Sequence, residues 1–290
     1  MLKPYKGVGF CYAMRPSHTW EMITQMQPAI KMALRVARQG SDYLKAHFER
    51  QEPNGDSDDR AKQLERVEQS VYDNFFEQLE KAYKDHTIAA LNESDAGQSD
   101  KSWHIFPVLG RENFLRGIPD FALALVQKRN NRTENLLLIN PVTGEEYSAS
   151  RGHGAALNSR RVRTSETKHA DRAAIVSNLL DQTRRGDDPL IWGEMASMLA
   201  KDSSMFRTAG CVALDVARVA SGHLDAAVIF RPEPADLAIG VTLAMESGAL
   251  TGDFSGNPFT DKAKQLVVAN PKLFREVLKT LHPFRGRLPQ

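Results

Sequence analysis

The chain has 290 residues, of which 41% are hydrophobic and 26% charged, with a net charge of +2. This suits a soluble globule with room for one large domain or two small ones, and the near-neutral balance argues neither for nor against a nucleic-acid partner. No apolar run reaches the ~18 residues that span a bilayer. The two cysteines, Cys11 and Cys211, stand far apart and outside any C-x-x-C pair, so neither a cysteine metal site nor a structural disulfide is expected and the usage fits a reducing cytoplasm.

Residues 1–25 lack the apolar region and small-residue cleavage site of a signal peptide. Clean helical periodicity begins only after Met26, so this stretch reads as a disordered arm or a start assigned too early. From 28 to 48, Ile30, Leu34, Ala37, Leu44 and Phe48 form a helical stripe. "QEPNGDSDD" breaks it. A second helix then runs to about Tyr83, with Leu64, Val67, Val71, Phe75 and Leu79 on one face and Ser57 or an adjacent Asp as its cap.

The texture then changes to strands, at 87–91, 103–106, 121–126 and 135–140, with a hairpin turn over 140–146 leading into 147–151. "RGHGAALNSRRVR" starts a further turn-and-strand pair. The second half alternates: strand 173–178, helix 188–201, strand 204–209, helix 210–222, strand 224–230, helix 235–249, strand 266–270, and a last helix capped by Asn270-Pro271. Paired helices, then sheet, then helices and sheet again predict a layered α/β (α+β) architecture.

The residues themselves offer modest chemistry. Glu93 and Asp95 lie just beyond a predicted strand, and Asp236 opens a predicted helix, where a plain capping role competes with a functional one. No H-E-x-x-H, P-loop or G-x-S-x-G motif occurs. His104, His153 and His223 are scattered. "RGHGAALN" offers backbone N–H groups to an anion or forms a simple turn. Three short basic runs, at 158–163, 183–186 and 284–287, are either solvated surface or polyanion contacts.

One twelve-residue stretch, "WHIFPVLGRENF" (103–114), carries a resemblance. Its frame is similar to W-x-[IV]-D-P-[IL]-D-G-T-T-N-F, the hallmark of the magnesium-dependent inositol-monophosphatase-like phosphatases. "GIPDFALAL" (117–125), "RGHGAALN" (151–158), "FRTAGCVALDVARVASGHLDAAV" (206–228), "ADLAIG" (235–240) and "VVANPKL" (267–273) resemble further segments of that family, in its order. The chain looks closest to the bacterial branch associated with transcription antitermination. The resemblance implies a five-layer αβαβα sandwich formed by one domain over 26–285, with an N-terminal α+β half (26–165) and a C-terminal α/β half (166–285). It also implies a homodimer.

In the family, two hallmark aspartates and an intervening carbonyl bind magnesium, and the following threonine helps to position the attacking water. Here those positions hold Phe106, Leu109, Val108 (for the carbonyl) and Arg111. Of the family's other ligands, Glu93 and Asp236 remain, while the aspartate on the second helix falls at Leu64. The resemblance therefore implies a metal site with Glu93 and Asp236 as its residual ligands. Glu93 and Arg111 stand at the water-activating positions, and Gly110 and Arg111 at substrate-binding ones. Magnesium needs about six oxygen ligands, so its binding is expected to be lost or weak. The guanidinium of Arg111 either fills part of the vacated position and pairs with one or both of Glu93 and Asp236, or points to solvent.

Two functions follow from the resemblance. One is a catalytically impaired homologue acting through binding, its partners being itself, the transcription machinery or RNA. The other is a magnesium-dependent phosphomonoesterase acting on inositol monophosphate or a related sugar phosphate through an altered site. A metal-free phosphate binder using Arg111 and the helix start at Gly210 is a third. No membrane partner is expected, and the expected location is the cytoplasm.

Overall fold

The computed structural model describes residues 27–51, 56–97, 99–184, 189–258 and 263–288. The arm at 1–25, Cys11 and part of the basic run at 183–186 lie outside the described residues. Among the described residues no helix is long and apolar enough to cross a membrane.

Two long helices come first, α1 (Pro28–Glu49) and α2 (Ser57–Ala82). The cap of α2 is Asp56, whose carboxylate accepts from the N–H groups of Asp58 and Asp59. Their apolar stripes meet one another, with Phe75 packed so close to Gly40 that a Cβ there would lie 2.4 Å from its ring.

A seven-stranded sheet follows, in the order β1-β2-β3-β4-β5-β6-β7. Its strands are β1 (Thr87–Ile88), β2 (Lys101–Leu109), β3 (Ala122–Arg129), β4 (Arg132–Asn140), β5 (Glu145–Ser150), β6 (Gly154–Leu157) and β7 (Arg160–Arg161). All neighbours are antiparallel except β1 and β2. The strand expected over 87–91 is two residues long, because the chain turns at Asn92, which adopts a positive φ of 60°. The short α3 (Arg111–Leu115), between β2 and β3, was not foreseen.

The second half builds a five-stranded sheet in the order β11-β12-β10-β8-β9. It comprises β8 (Ala174–Ser177), β9 (Met205–Arg207), β10 (Ala226–Phe230), β11 (Leu250–Gly252) and β12 (Gln265–Ala269), interleaved with α4 (Pro189–Lys201), α5 (Val212–Ala220), α6 (Pro234–Ser247) and α7 (Pro271–Leu281). The cap of α7 is Asn270, as expected, accepting from the N–H groups of Lys272 and Leu273.

Four apolar clusters stack these elements. The outer face of the first sheet (Trp103, Ile105, Leu125, Leu137) meets α1 and α2. Its inner face (Phe106, Ala124, Leu138, Tyr147) meets α5 and α6. The opposite sides of α5 and α6 (Val216, Val219, Val241) meet the second sheet at Ala227, Ile229 and Val268. That sheet's far face meets α4 and α7. The result is the five-layer αβαβα sandwich, because each sheet has apolar side chains on both faces and needs a helical layer on each.

Candidate functional site

The strand β2 ends at Leu109, and the chain turns at Gly110 into α3. Gly110 has φ +81°, and a Cβ there would lie 3.0 Å from the Cβ of Cys211 and 3.1 Å from the Asp120 carbonyl oxygen. Both conditions demand glycine. The turn is tied to the start of α5 by Asn113, whose amide donates to the carbonyls of Asp120 and Ala209 at 2.7 Å each. Gly210, with φ +80°, lies directly against that amide, so the helix start at Gly210 is packed by Asn113.

The hallmark side chains divide between the two faces of the sheet. Phe106 is buried on the inner face with Cys211, Ala213 and Ala235, and Leu109 packs on the same cluster. Val108 is buried on the opposite face, against α1 and α2. A shift of register between Phe106 and Leu109 accompanies this change of face.

Arg111, the first residue of α3, does pair with a carboxylate, but not with either expected one. Its Nη1 donates to Oε2 of Glu68 on α2. The side chain of Glu68 is 2% exposed and that of Arg111 42% exposed. Burial pushes the Glu68 carboxyl above its ordinary range, and the guanidinium opposes this. The second oxygen of Glu68 has no partner among the described residues.

On α2 the hydrocarbon and the acid lie one turn apart. Leu64 is a core residue, and the acid that faces the hallmark turn is Glu68, one helical turn later. The sequence did hold a signal for it: Glu68 follows Val67 inside the apolar stripe of Leu64, Val71 and Phe75, where an acid has no reason to be without a partner.

Glu93 lies in the loop after β1 with an exposed side chain. Its contribution to the surroundings is through its backbone: the carbonyl of Glu93 is 2.9 Å from Nδ1 of His104, whose Nε2 is 2.9 Å from Ser102 Oγ. Asp236 is buried at the third position of α6. It accepts from the Glu233 N–H at 3.1 Å within a capping box. Burial raises its carboxyl to about 7, while backbone N–H groups of Glu233 and of Ala213, in the first turn of α5, pull the other way. Asp236 thus lies between two helix N-termini, where negative charge is favoured.

The donors present do not fit a pair of magnesium ions. The Glu68 carboxylate is engaged by Arg111, and that of Asp236 by backbone N–H groups. Phe106 and Leu109, at the positions that the resemblance gives to metal ligands, bring hydrocarbon, whereas each ion needs about six oxygens. Among the described residues, no group of three or more His, Cys, Asp or Glu side chains is gathered to hold a metal.

Two further arrangements were not foreseen. The "RGHG" turn does bind an anion, and the anion belongs to the protein: Glu246 of α6 accepts from the N–H groups of Gly152 and Gly154, both at 2.8 Å. Asp120, in the loop before β3, accepts from Arg207 of β9 at 3.2 Å and from Arg218 of α5 at 2.6 Å. Arg218 also reaches Glu145 at 3.4 Å. Asp215 is buried nearby with one oxygen unpartnered. Burial and the charge of Asp120 raise its carboxyl to about 7, against the pull of Arg218 and Arg207.

Known proteins share this fold and part of this sequence. Residues 25–284 match the model of the inositol monophosphatase family. The chain is 33% identical to Nus factor SuhB of Pseudomonas aeruginosa over 264 residues, which are 89% of this chain and 97% of that protein. It is 26% identical to Nus factor SuhB of Escherichia coli K12 over 262 residues, 88% of this chain and 96% of that protein. Among solved structures, the Thermotoga maritima IMPase has a TM-score of 0.75 at 22% identity, covering 90% of this chain and 99% of that one. The extragenic suppressor protein suhB of Bartonella henselae has a TM-score of 0.75 at 22% identity, covering 88% and 98%. The agreement of fold, motif order and match over nearly the whole described chain has one conclusion: this protein belongs to the inositol monophosphatase family.

Proposed function

We propose that this protein is a catalytically impaired member of its family that acts by binding, as one domain over 26–285 and as a homodimer, with the transcription machinery or RNA as its partner in the cytoplasm. The observation that carries the reading is the hallmark turn. Phe106 and Leu109 point apolar side chains into the layer of α5 and α6, and Arg111 neutralises Glu68. Metal-assisted phosphoryl chemistry needs an ion to orient phosphate and to lower the pKa of the attacking water. No side chain at Phe106, Leu109 or Arg111 can ligate one. The partner class is supported by the relatives, which carry the name Nus factor.

The test is an assay of the full chain with inositol 1-phosphate and a generic aryl phosphate, with and without magnesium, beside calorimetry with magnesium alone. The expected result is no magnesium-dependent turnover and no binding heat. Magnesium-dependent turnover that disappears in Asp236→Asn would overturn the proposal. It would favour the alternative, a phosphomonoesterase with an altered site, for which the retention of Asp236 and Glu93 speaks.

A further inference from the structure

The chain's charge is unevenly placed. From 271 to 290 five Lys and Arg residues face a single acid, Glu276, while the other 270 residues carry 33 Lys and Arg against 35 acids. The outer helix α7 sorts these charges by face. Leu273, Phe274, Val277 and Leu281 are buried against the second sheet. Lys272, Arg275, Lys279 and His282 are all exposed and follow one another at intervals of three, four and three. Such spacing places them in one stripe, about 15 Å long at the helical rise.

Beside the stripe runs a cleft of about 500 Å³, lined by Arg275, Leu278, Lys279, His282, Pro283 and Arg285. One wall is fixed, because Arg285 donates to the carbonyls of Phe254 and Ser255 at 3.3 and 3.1 Å. The nearby acids are already engaged. Glu276 pairs with Lys279 at 2.6 Å, Glu194 with Arg287, Asp253 with the backbone of Ser255 and Asn257, and Asp202 accepts from the Thr280 hydroxyl at 3.4 Å. The side chains of Lys272, Arg275 and His282 have no hydrogen-bond or ion-pair partner among the described residues.

We infer that this cleft is a binding site for a single-stranded nucleic acid, with the phosphodiester backbone on the cationic stripe and a base on the apolar floor. Cations alone would serve any polyanion. The floor of Leu278 and Pro283 between them is what selects a nucleotide chain over an acidic peptide, since a nucleotide presents an apolar ring face next to its phosphate. Arg275, Arg285 and His282 supply planar groups on which a base can stack. The polar side chains of the lining are all cationic or basic, so recognition rests on backbone charge and is indifferent to sequence. The basic run at 284–287 therefore belongs to a site rather than to a plain solvated surface. This surface is remote in the fold from the hallmark turn, and the inference stands whether or not the protein hydrolyses phosphate esters.

The test is fluorescence anisotropy of a labelled 20-nucleotide single-stranded RNA with the full chain, over a range of salt. The parent should bind at low salt. Lys272→Gln with Arg275→Gln, two exposed positions without a side-chain partner among the described residues, whose loss leaves the helix's buried face intact, should weaken binding at least tenfold. The slope of log affinity against log salt should become shallower by about 1.4, near 0.7 for each phosphate that is no longer neutralised. Arg129→Gln with Arg132→Gln, on the first sheet, should leave both unchanged. The inference is overturned if the parent shows no binding, if the α7 double variant binds like the parent, or if polyglutamate of equal length displaces the RNA as well as unlabelled RNA does.

Discussion

Arg111 reaches from the first residue of α3 to Glu68 in the middle of α2 and gives a buried carboxylate its counter-charge. The pair joins the hallmark turn to the outer helical layer. Its two members contribute unequally: Glu68 has left water almost completely, and Arg111 has not.

Removing the guanidinium should therefore harm the fold more than the surface position of Arg111 suggests. Arg111→Ala is expected to lower stability by about 1–3 kcal/mol, since it leaves Glu68 buried with no charged partner. The double variant Glu68→Leu with Arg111→Ala should recover part of that loss. Urea unfolding of the parent, both single variants and the double variant measures the coupling, and simple additivity would count against the pair.

The buried acids set a pH dependence. Asp215 and Asp236 are both raised to about 7 in the folded chain, against about 4 for an aspartate in the unfolded chain. The folded state holds protons that the unfolded state has released. Their contribution is thus fully present below about 4 and is lost as pH rises through about 7. Asp215→Asn removes one titration. Between pH 5 and pH 8 the stability difference between variant and parent should move in the variant's favour by about 2–3 kcal/mol. A difference that stays constant across that range would exclude the linkage.

The clamp on the "RGHG" turn should be visible by hydrogen exchange. Glu246→Ala leaves the Gly152 and Gly154 N–H groups without their acceptor. Their exchange should accelerate toward that of open loops, with a loss of about 1–2 kcal/mol in overall stability. Unchanged protection at both amides would show that the carboxylate is not what holds them.

Gly110 tests whether the turn's shape is fixed by packing. Gly110→Ala forces a side chain into the left-handed region and against Cys211 and the Asp120 carbonyl. A loss of about 2–4 kcal/mol is expected, more than an alanine at an open left-handed glycine would bring. Gly117, also at positive φ but with nothing near its missing Cβ, is the control, and equal losses at the two positions would refute the close approach.

Much of the layering was legible in the sequence, because period and burial agree there. The stripe of Leu64, Val67, Val71, Phe75 and Leu79 is the buried face of α2, and the continuous apolar runs of the second half are strands covered on both sides. Short elements were not legible. β11 has three residues and α3 five, too few for any periodicity to show. At the site, the substitution of hydrocarbon for acid at Phe106 and Leu109 could be read from the hallmark frame. For the partner of Arg111 the sequence held only half of the signal: an acid inside the apolar stripe at Glu68 needs a partner, but which residue meets it depends on how α2 stacks on the turn. The carboxylate of Glu246 under Gly152 and Gly154 is more than ninety residues away in sequence, and no local pattern announces so distant a pairing.

The sharing of Asp120 between Arg207 and Arg218 has a consequence for how this molecule can vary. One carboxylate takes an arginine from the edge strand of the second sheet and another from the central helices, so it holds near each other two cations that would otherwise repel. Neutralising it alone leaves Arg207 without its acid and Arg218 with only the longer contact to Glu145. Change at this seam is easiest in concert, and a descendant that loses the acid should be found to have shed Arg207 with it.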